Sequence, residues 1–369
     1  MSNRWACVAR FGGIGDNIMS ASPLACLKRQ GYMTEMLTSE PNHVVYFHNP
    51  HIDKLTVKRT ERDLPQGDPM AWQKWMDQRA NEYDVFVHAS HTAEGRHSLF
   101  KSMTHFWWPP EMRRKICAGS FLETIHDIAG VPYEFGPLYF TTEEERAGAR
   151  QTTKMMGDRY ICWVLCGTRV DKVYPRAPTA IARIIKEVGA PIMLLGGPSE
   201  KEQSMAEAIR NEVERHNGTR DGIYVAVPTG GGAVSSPVTP VVSEETSWPL
   251  RTSLALAHGA SLVVTPDTGT AWAVAFEKMP KVVMISHASV DNITKHWINT
   301  TTLHADPDRV PCWPCHRLHD DIDTCVQNKE KNGAACISDI SVETIVQTVA
   351  EQWKNGNVIH AERAFGVGR

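Results

Sequence analysis

The sequence predicts an α/β protein built on parallel sheets, and three observations carry that expectation. Short β-like runs alternate with stretches of helical spacing along the chain. Several of these runs end in a glycine-rich or polar turn just before a helix, the layout that lines a ligand crevice at the carboxyl ends of parallel strands. At 369 residues the chain suits two domains of ordinary size.

Trp5–Ala9 reads as the first strand, followed by the turn RFGGIGDNIMSASP (Arg10–Pro23) and an amphipathic helix with Leu24 and Leu27 that stops near Gly31. Tyr32–Leu37, Leu55–Val57 and Tyr83–His88 read as further strands, with helical spacing over Pro69–Asn81. Thr141–Gly157, rich in Thr, Glu and Arg, reads as a helix or hinge between the halves. The second half offers strands at Tyr160–Leu165, Pro191–Leu195, Gly222–Val227, Ser261–Val264 and Lys281–Ile285. Its clearest helix is Glu200–His216, with a capping box (Ser199, Glu202) at one end and Gly218 past the other. Val227–Pro249 contains GGG, SSP and TP without periodicity and reads as a long exposed loop. Ser341–Trp353 carries a one-sided apolar stripe (Val342, Ile345, Val346, Val349, Trp353) that must dock on something. The domains expected are 1–150, 151–340 with a cysteine-rich segment at 311–336, and a closing helix and tail at 341–369.

Composition narrows the classes. Lys+Arg 39 against Asp+Glu 42 gives a formal charge of −3, and no basic tail or block marks a nucleic-acid partner. No apolar run is long enough to span a membrane, and the N-terminus lacks the apolar core of a signal peptide. The nine cysteines therefore point to a reducing cytoplasm, as thiols or metal ligands instead of disulfides. Cys312-x2-Cys315-x9-Cys325-x10-Cys336 has two readings: four thiolates around a structural zinc, or reduced cysteines packed as a cluster. Cys7, Cys26, Cys117, Cys162 and Cys166 read as small buried apolar residues.

The chemistry gathers in the turns. A phosphate cradle would normally avoid an acid, so Asp16 inside the first turn suggests a base or a polar-ligand contact. GGIGD is neither a dinucleotide fingerprint nor a P-loop, which removes an NAD-dependent dehydrogenase. CGTRVDKVYP offers Lys172 as a phosphate contact, GGPSE opens the capped helix, and SHASVDN is a further polar loop. In TPDTGTAW, Asp267-Thr268-Gly269-Thr270 reads as an anion site of amides and hydroxyls or as a capped turn. His88, His91 and His97, with Arg96, surround a strand end. Lys101, Arg113, Arg114 and Lys115, with Trp107 and Trp108, form a basic-aromatic patch that reads as domain surface or a site for an anionic glycolipid before a nucleic-acid groove.

These segments, in this order, resemble glycosyltransferase family 9, the ADP-heptose:lipopolysaccharide heptosyltransferases. RFGGIGDNIMSASP resembles the family's N-terminal signature, and NPHIDKL its Asn-Pro-x-Ile-Asp segment. CGTRVDKVYP resembles its Lys-x-Trp-Pro segment with Tyr174 for Trp, and LLGGPSEKE and LVVTPDTGTAW its nucleotide-sugar turns. The cysteine-rich tail resembles that of many members. The resemblance covers most of residues 5–353. It implies a GT-B fold, with two Rossmann-like domains facing a cleft, the acceptor on the first, the donor on the second, and the last helix crossing back to the first. Asp16 would be the general base and Lys172 would neutralise the diphosphate. Asp267, Thr268, Gly269 and Thr270 would bind the donor, with Gly13, Gly15, Thr168, Gly197 and Glu200; His88, His91 and Arg96 would meet the acceptor. The reaction implied is inverting transfer from a nucleoside-diphosphate sugar, ADP-sugar favoured, to a glycan or glycolipid hydroxyl, without a catalytic metal, in the cytoplasm or peripherally at the inner membrane face. One departure stands out: Trp272 occupies the position where the family commonly has His after its Asp-Thr-Gly. Two alternatives stay open, another acceptor such as a hydroxymethylated nucleobase in DNA, and a non-catalytic nucleotide-sugar-binding protein.

Overall fold

Trp5–Ala9 (β1) is apolar on both faces because both are covered: Ala6, Cys7, Val8 and Ala9 are fully buried. It is flanked in parallel by Met33–Ser39 (β2) and Val85–His88 (β4), with Lys54–Lys58 (β3) outside β2, giving the order β3-β2-β1-β4. The helices of this half are Ile14–Ser20 (α1), Leu24–Arg29 (α2), Thr60–Asp63 (α3), Pro69–Ala80 (α4), Pro110–Ile116 (α5) and Phe121–Ala129 (α6). Ala6 and Val8 pack with Ile18, Leu24 and Leu27 on one face; Cys7 and Ala9 pack with Met76, Trp72 and Trp75 of α4 on the other. The computed structural model describes residues 4–65, 69–89, 95–226, 250–319, 325–328 and 333–364.

The second sheet has six parallel strands in the order β10-β9-β8-β5-β6-β7. They are Ile161–Val164 (β5), Ile192–Leu195 (β6), Ile223–Ala226 (β7), Leu262–Pro266 (β8), Lys281–Met284 (β9) and Thr300–Leu303 (β10). Its helices are Glu143–Thr153 (α7), Ala177–Val188 (α8), Glu200–Asn217 (α9), Leu250–Gly259 (α10), Gly269–Ala273 (α11), Val290–Ile293 (α12), Ala335–Asp339 (α13) and Val342–Ala364 (α14). Ile161 and Trp163 face α8, whereas Cys162 and Val164 face α10.

Five features refine or differ from the sequence reading. The first helix begins at Ile14, so Gly15 and Asp16 lie in its first turn and not in the loop before it. Asn17 makes this tight start work: its amide donates to the carbonyls of Gly12 (2.9 Å) and Gly13 (2.8 Å). The edge strand β10 has the sequence TTTL, too polar to register as a strand, and its residues are half-buried. Thr141–Gly157 forms α7 behind a capping box of Thr142 and Glu145; the helix packs on α10, and the boundary expected at 150/151 falls inside it. The last helix docks at least partly on its own half: Ile345, Val346 and Val349 are buried, and α14 packs on α8, β8 and β9. Ser199 does cap α9, but Glu202 reaches past the cap residue's N–H to that of Gly197, 2.8 Å away. The loop expected over 227–249 lies outside the described residues.

Buried polar contacts join the halves. Arg251 of α10 is paired with Glu145 and donates to the carbonyls of Val44 and Phe47 (3.1 Å each) and Phe140 (2.7 Å). Asn292 donates to Cys117 (2.9 Å) and Gly119 (2.6 Å), and Lys295 pairs with Glu123 at 2.7 Å.

Candidate active site

The turn after β1 aims its acid at the second sheet. The acid folds back over the turn, so that a Cβ on Gly13 would stand 2.8 Å from Asp16 Oδ2. Arg10, almost fully buried, holds that oxygen at 3.0 Å, while the Asp16 side chain keeps 36% of its surface exposed. Opposite, α11 crosses α1 so tightly that a Cβ on Gly269 would overlap the Ile14 side chain and stand 3.2 Å from the Gly15 nitrogen. A Cβ on Gly15 would in turn meet Trp272 at 3.1 Å. Asp16 is thereby brought beside the loop that follows β8.

That loop presents Asp267, buried and fully engaged. Lys172 Nζ lies 3.0 Å from its Oδ2, and the Trp272 indole N–H donates to its Oδ1 at 3.2 Å. Burial pushes the Asp267 carboxyl up, but Lys172, then His287 and Arg169, outweigh it and hold it below the usual carboxylate value. Trp272, the departure from the resembled family, is a buried seam residue: it lies near-parallel to Phe121 of the first half and edge-on to Trp297. Thr268 caps α11 through Ala271 N at 3.4 Å, and its hydroxyl also meets Thr265.

A second charged group backs Lys172. Asp171 is buried and accepts from Arg169 Nε (3.1 Å), Ser286 Oγ (3.0 Å) and His287 Nδ1 (3.0 Å). Burial raises its carboxyl, yet His287 and Arg169 bring it well below the ordinary value. His287 is itself held down by burial, so at neutral pH it meets Asp171 as a neutral N–H donor. Burial lowers Arg169, but Asp171, then Asp267 and Asp16, favour its charged form and raise it above the usual guanidinium value. Arg10, Arg169, Asp171 and His287 were missed by sequence reasoning. The alternating charges of Arg169-Val-Asp-Lys172 were the only local signal for two of them.

The remaining candidates fall in several places. Thr168 is exposed in the turn after β5, and Thr270 is half-buried in α11. Gly197 has its N–H taken by Glu202, and Glu200 is exposed at the start of α9. Tyr174 is buried with its hydroxyl on Ile340 O at 3.0 Å, so this position packs within its own half. His88 ends β4 beside Ala9, Arg96 is exposed, and His91 lies outside the described residues. His97 is buried with both ring nitrogens used, by Cys117 O and Thr124 Oγ1, which makes it structural. In the basic-aromatic patch, Arg113 is buried on Cys315 O (2.7 Å) and Arg114 donates to Pro311 O and Trp313 O, so two of its four cations clamp the cysteine segment.

Cys312, Cys315, Cys325 and Cys336 line one enclosed cavity together with Asp171, His287 and His319. Burial pushes the Cys315 thiol up to about 11 and Cys325 to about 12. Among the described residues, no group of three or more His, Cys, Asp or Glu side chains is arranged to hold a metal ion. The tetrahedral thiolate set expected from the spacing is thus not assembled, although its members converge.

Neither a protein-family model nor a curated protein sequence matches the chain. Solved structures do. A family 9 glycosyltransferase from Veillonella parvula DSM 2008 superposes with a TM-score of 0.59 at 12% identity, over 96% of this chain and 99% of that one. The ADP-heptose lipopolysaccharide heptosyltransferase II of E. coli gives 0.59 at 13% identity, over 96% and 99%. The chain has the GT-B fold. TibC, an iron-containing dodecameric heptosyltransferase of enterotoxigenic E. coli H10407, is also similar; its complex with ADP-D-β-D-heptose gives 0.53 at 10% identity, over 96% of this chain and 78% of that one. Asp16 belongs to the first half, on α1, and Lys172 to the second, in the turn after β5. Among the described residues no helix is long and apolar enough to cross a membrane.

Proposed function

We propose that the chain is an inverting, metal-independent glycosyltransferase that takes a nucleoside-diphosphate sugar, ADP-sugar favoured, and glycosylates a hydroxyl of a glycan or glycolipid such as a lipopolysaccharide core. One observation carries the reading. An open carboxylate on one GT-B half, Asp16, stands across the interface from a cationic pair, Arg169 and Lys172, on the other. A sugar hydroxyl is a poor nucleophile and a nucleoside diphosphate leaves with negative charge, so base and cations on opposite sides of the anomeric carbon are the groups required.

In this reading Asp16 removes the acceptor O–H proton as the oxygen bonds to the anomeric carbon from the face opposite the leaving group. The anomeric C–O bond breaks, and its electron pair stays on the diphosphate, where Lys172 and Arg169 stabilise it. Arg10 fixes the carboxylate, and the Asp267-Thr268-Gly269 turn, with Thr270, Thr168, Gly197 and Glu200, surrounds the donor. His88, His91 and Arg96 belong to the acceptor side. Support for an adenosine nucleotide comes from the fold neighbour solved with ADP-D-β-D-heptose.

The four cysteines form a separate structural element with two readings, a structural zinc or reduced thiols packed as a cluster; they line one cavity. Stoichiometric metal in purified protein supports the zinc, and four freely titratable thiols with no metal remove it. A non-catalytic nucleotide-sugar binder is favoured by one observation, that both Asp267 oxygens are already engaged. The two separate on turnover. Asp16→Asn, isosteric and uncharged, is expected to lower release of nucleoside diphosphate by about 100- to 10,000-fold with donor affinity kept. Equal turnover by wild type and variant would contradict the base assignment.

A further inference from the structure

The helix that carries Asp16 starts without an ordinary cap. Gly13 holds the N-cap position of α1, where it has no side chain to offer the first turn. The turn is held from its carbonyls instead. Asn17, fully buried, donates from its amide nitrogen to Gly12 O (2.9 Å) and Gly13 O (2.8 Å). The Gly12 carbonyl takes a second amide, Asn42 Nδ2, at 2.7 Å. Asn42 opens a short 3-10 helix, Asn42–Tyr46, that packs on α1, and Tyr46 closes it. The buried Tyr46 hydroxyl lies 2.8 Å from Asn17 O and 3.0 Å from Asn17 Oδ1, and Thr38 Oγ1 donates to the same Oδ1 at 2.8 Å.

Both donors and both acceptor positions of the Asn17 amide thus have partners, and a buried polar network satisfied throughout is stiff. Burial pushes the Tyr46 phenol well up, Arg10 opposes this and Asp16 adds to it, so the hydroxyl stays protonated and donating through the neutral range. The 3-10 helix is itself pinned from the second half, where Arg251 donates to Val44 O and Phe47 O (3.1 Å each). A buried Tyr needs only one partner to be satisfied. Here the two ends of one five-residue element converge on the residues that flank the acid, Gly12 before it and Asn17 after it.

We propose that Asn42 and Tyr46 are positioning residues for the general base, bracing the Gly12–Asn17 turn so that Asp16 stays within hydrogen-bond reach of the acceptor hydroxyl. The inference rests on the proposed function, in which Asp16 is that base. A misplacement of about 1 Å at a reacting group costs on the order of 100-fold in rate, so the smaller shift allowed by losing one brace bond should cost about tenfold.

The test measures release of ADP from ADP-heptose by the full chain, by Tyr46→Phe, which keeps the ring, and by Asn42→Ala, which changes a half-buried residue. Each variant should lower kcat about tenfold with the donor KM unchanged. Placed in Asp16→Asn, the same substitutions should cost nothing further, because no base is left to position; a merely structural role would lower the residual rate as well. Hydrogen exchange reads the brace without substrate: the amides of residues 12–17 should exchange at least about fivefold faster in Tyr46→Phe. Wild-type kcat in either variant, losses that persist at full size in Asp16→Asn, or unchanged exchange overturns the inference. No ADP release by the wild-type chain, or wild-type turnover by Asp16→Asn, would remove the base and the positioning role with it. A fully active Tyr46→Phe beside an inactive Asp16→Asn removes the positioning role alone.

Discussion

Asp171 is buried, yet it organises Arg169, the cation proposed to meet the leaving diphosphate. With Ser286 and His287 on one of its oxygens and Arg169 on the other, it fixes the guanidinium beside Lys172. Its carboxyl is well below the ordinary value in the folded chain and near about 4 when unfolded. A depressed folded value means that its contribution to stability is complete above pH about 4 and is lost as pH falls through the folded value. The gap in Tm between wild type and Asp171→Asn should therefore be wide at pH 7 and narrow below pH about 4; a gap independent of pH would contradict the account. Arg169→Ala and Lys172→Ala should each lower turnover by about 100- to 1,000-fold, the usual effect of losing one group that stabilises developing charge. Steady-state kinetics on the two variants checks this, and a near-wild-type rate for Arg169→Ala would remove it from the site. Asp16, Lys172 and Asp267 stood out in the sequence because each follows a strand end in a segment whose composition is unlike an ordinary loop. Arg10 and His287 were not, because their roles depend on partners 6 and 116 residues away in the chain, Asp16 and Asp171. Such pairings exist only once the sheets have formed.

Between elements, the decisive contact is the crossing of α1 and α11. It needs no side chain at Gly269, and Ile14 and Gly15 fill the space. Gly269→Ala should cost about 1–3 kcal/mol by overpacking and should reduce turnover as well, because the same contact sets Asp16 against the Asp267 loop. Ile14→Ala combined with it should restore part of the loss, a non-additivity that urea denaturation of the single and double variants measures. Fully additive losses would mean that the two residues do not share the strain. Most strands were legible because parallel strands buried on both faces read as plain apolar runs. The threonine-rich β10 was not, since it is an edge strand and half-buried. The start of α1 was misread for a related reason: two glycines in a row signal a turn, and only the Asn17 amide bonds to Gly12 and Gly13 show how a helix begins there. The stripe on α14 was legible as a docking face, but its partner was not, because amphipathic spacing says that a face is buried without saying against what.

For the molecule as a whole, two α/β halves are joined by the Arg251 bonds to Val44 and Phe47, the Asn292 bridges and the Trp272 seam, and the proposed reading puts the donor cleft between them. The central claim is that this cleft takes a nucleoside-diphosphate sugar. Titration calorimetry of the purified chain with ADP-, GDP- and UDP-sugars, repeated on Lys172→Ala, tests it most directly. The account predicts saturable binding of one nucleotide class, the ADP-sugars, weakened at least about tenfold in the variant, which corresponds to about 1.4 kcal/mol. Binding of none of them by the wild-type chain would contradict it.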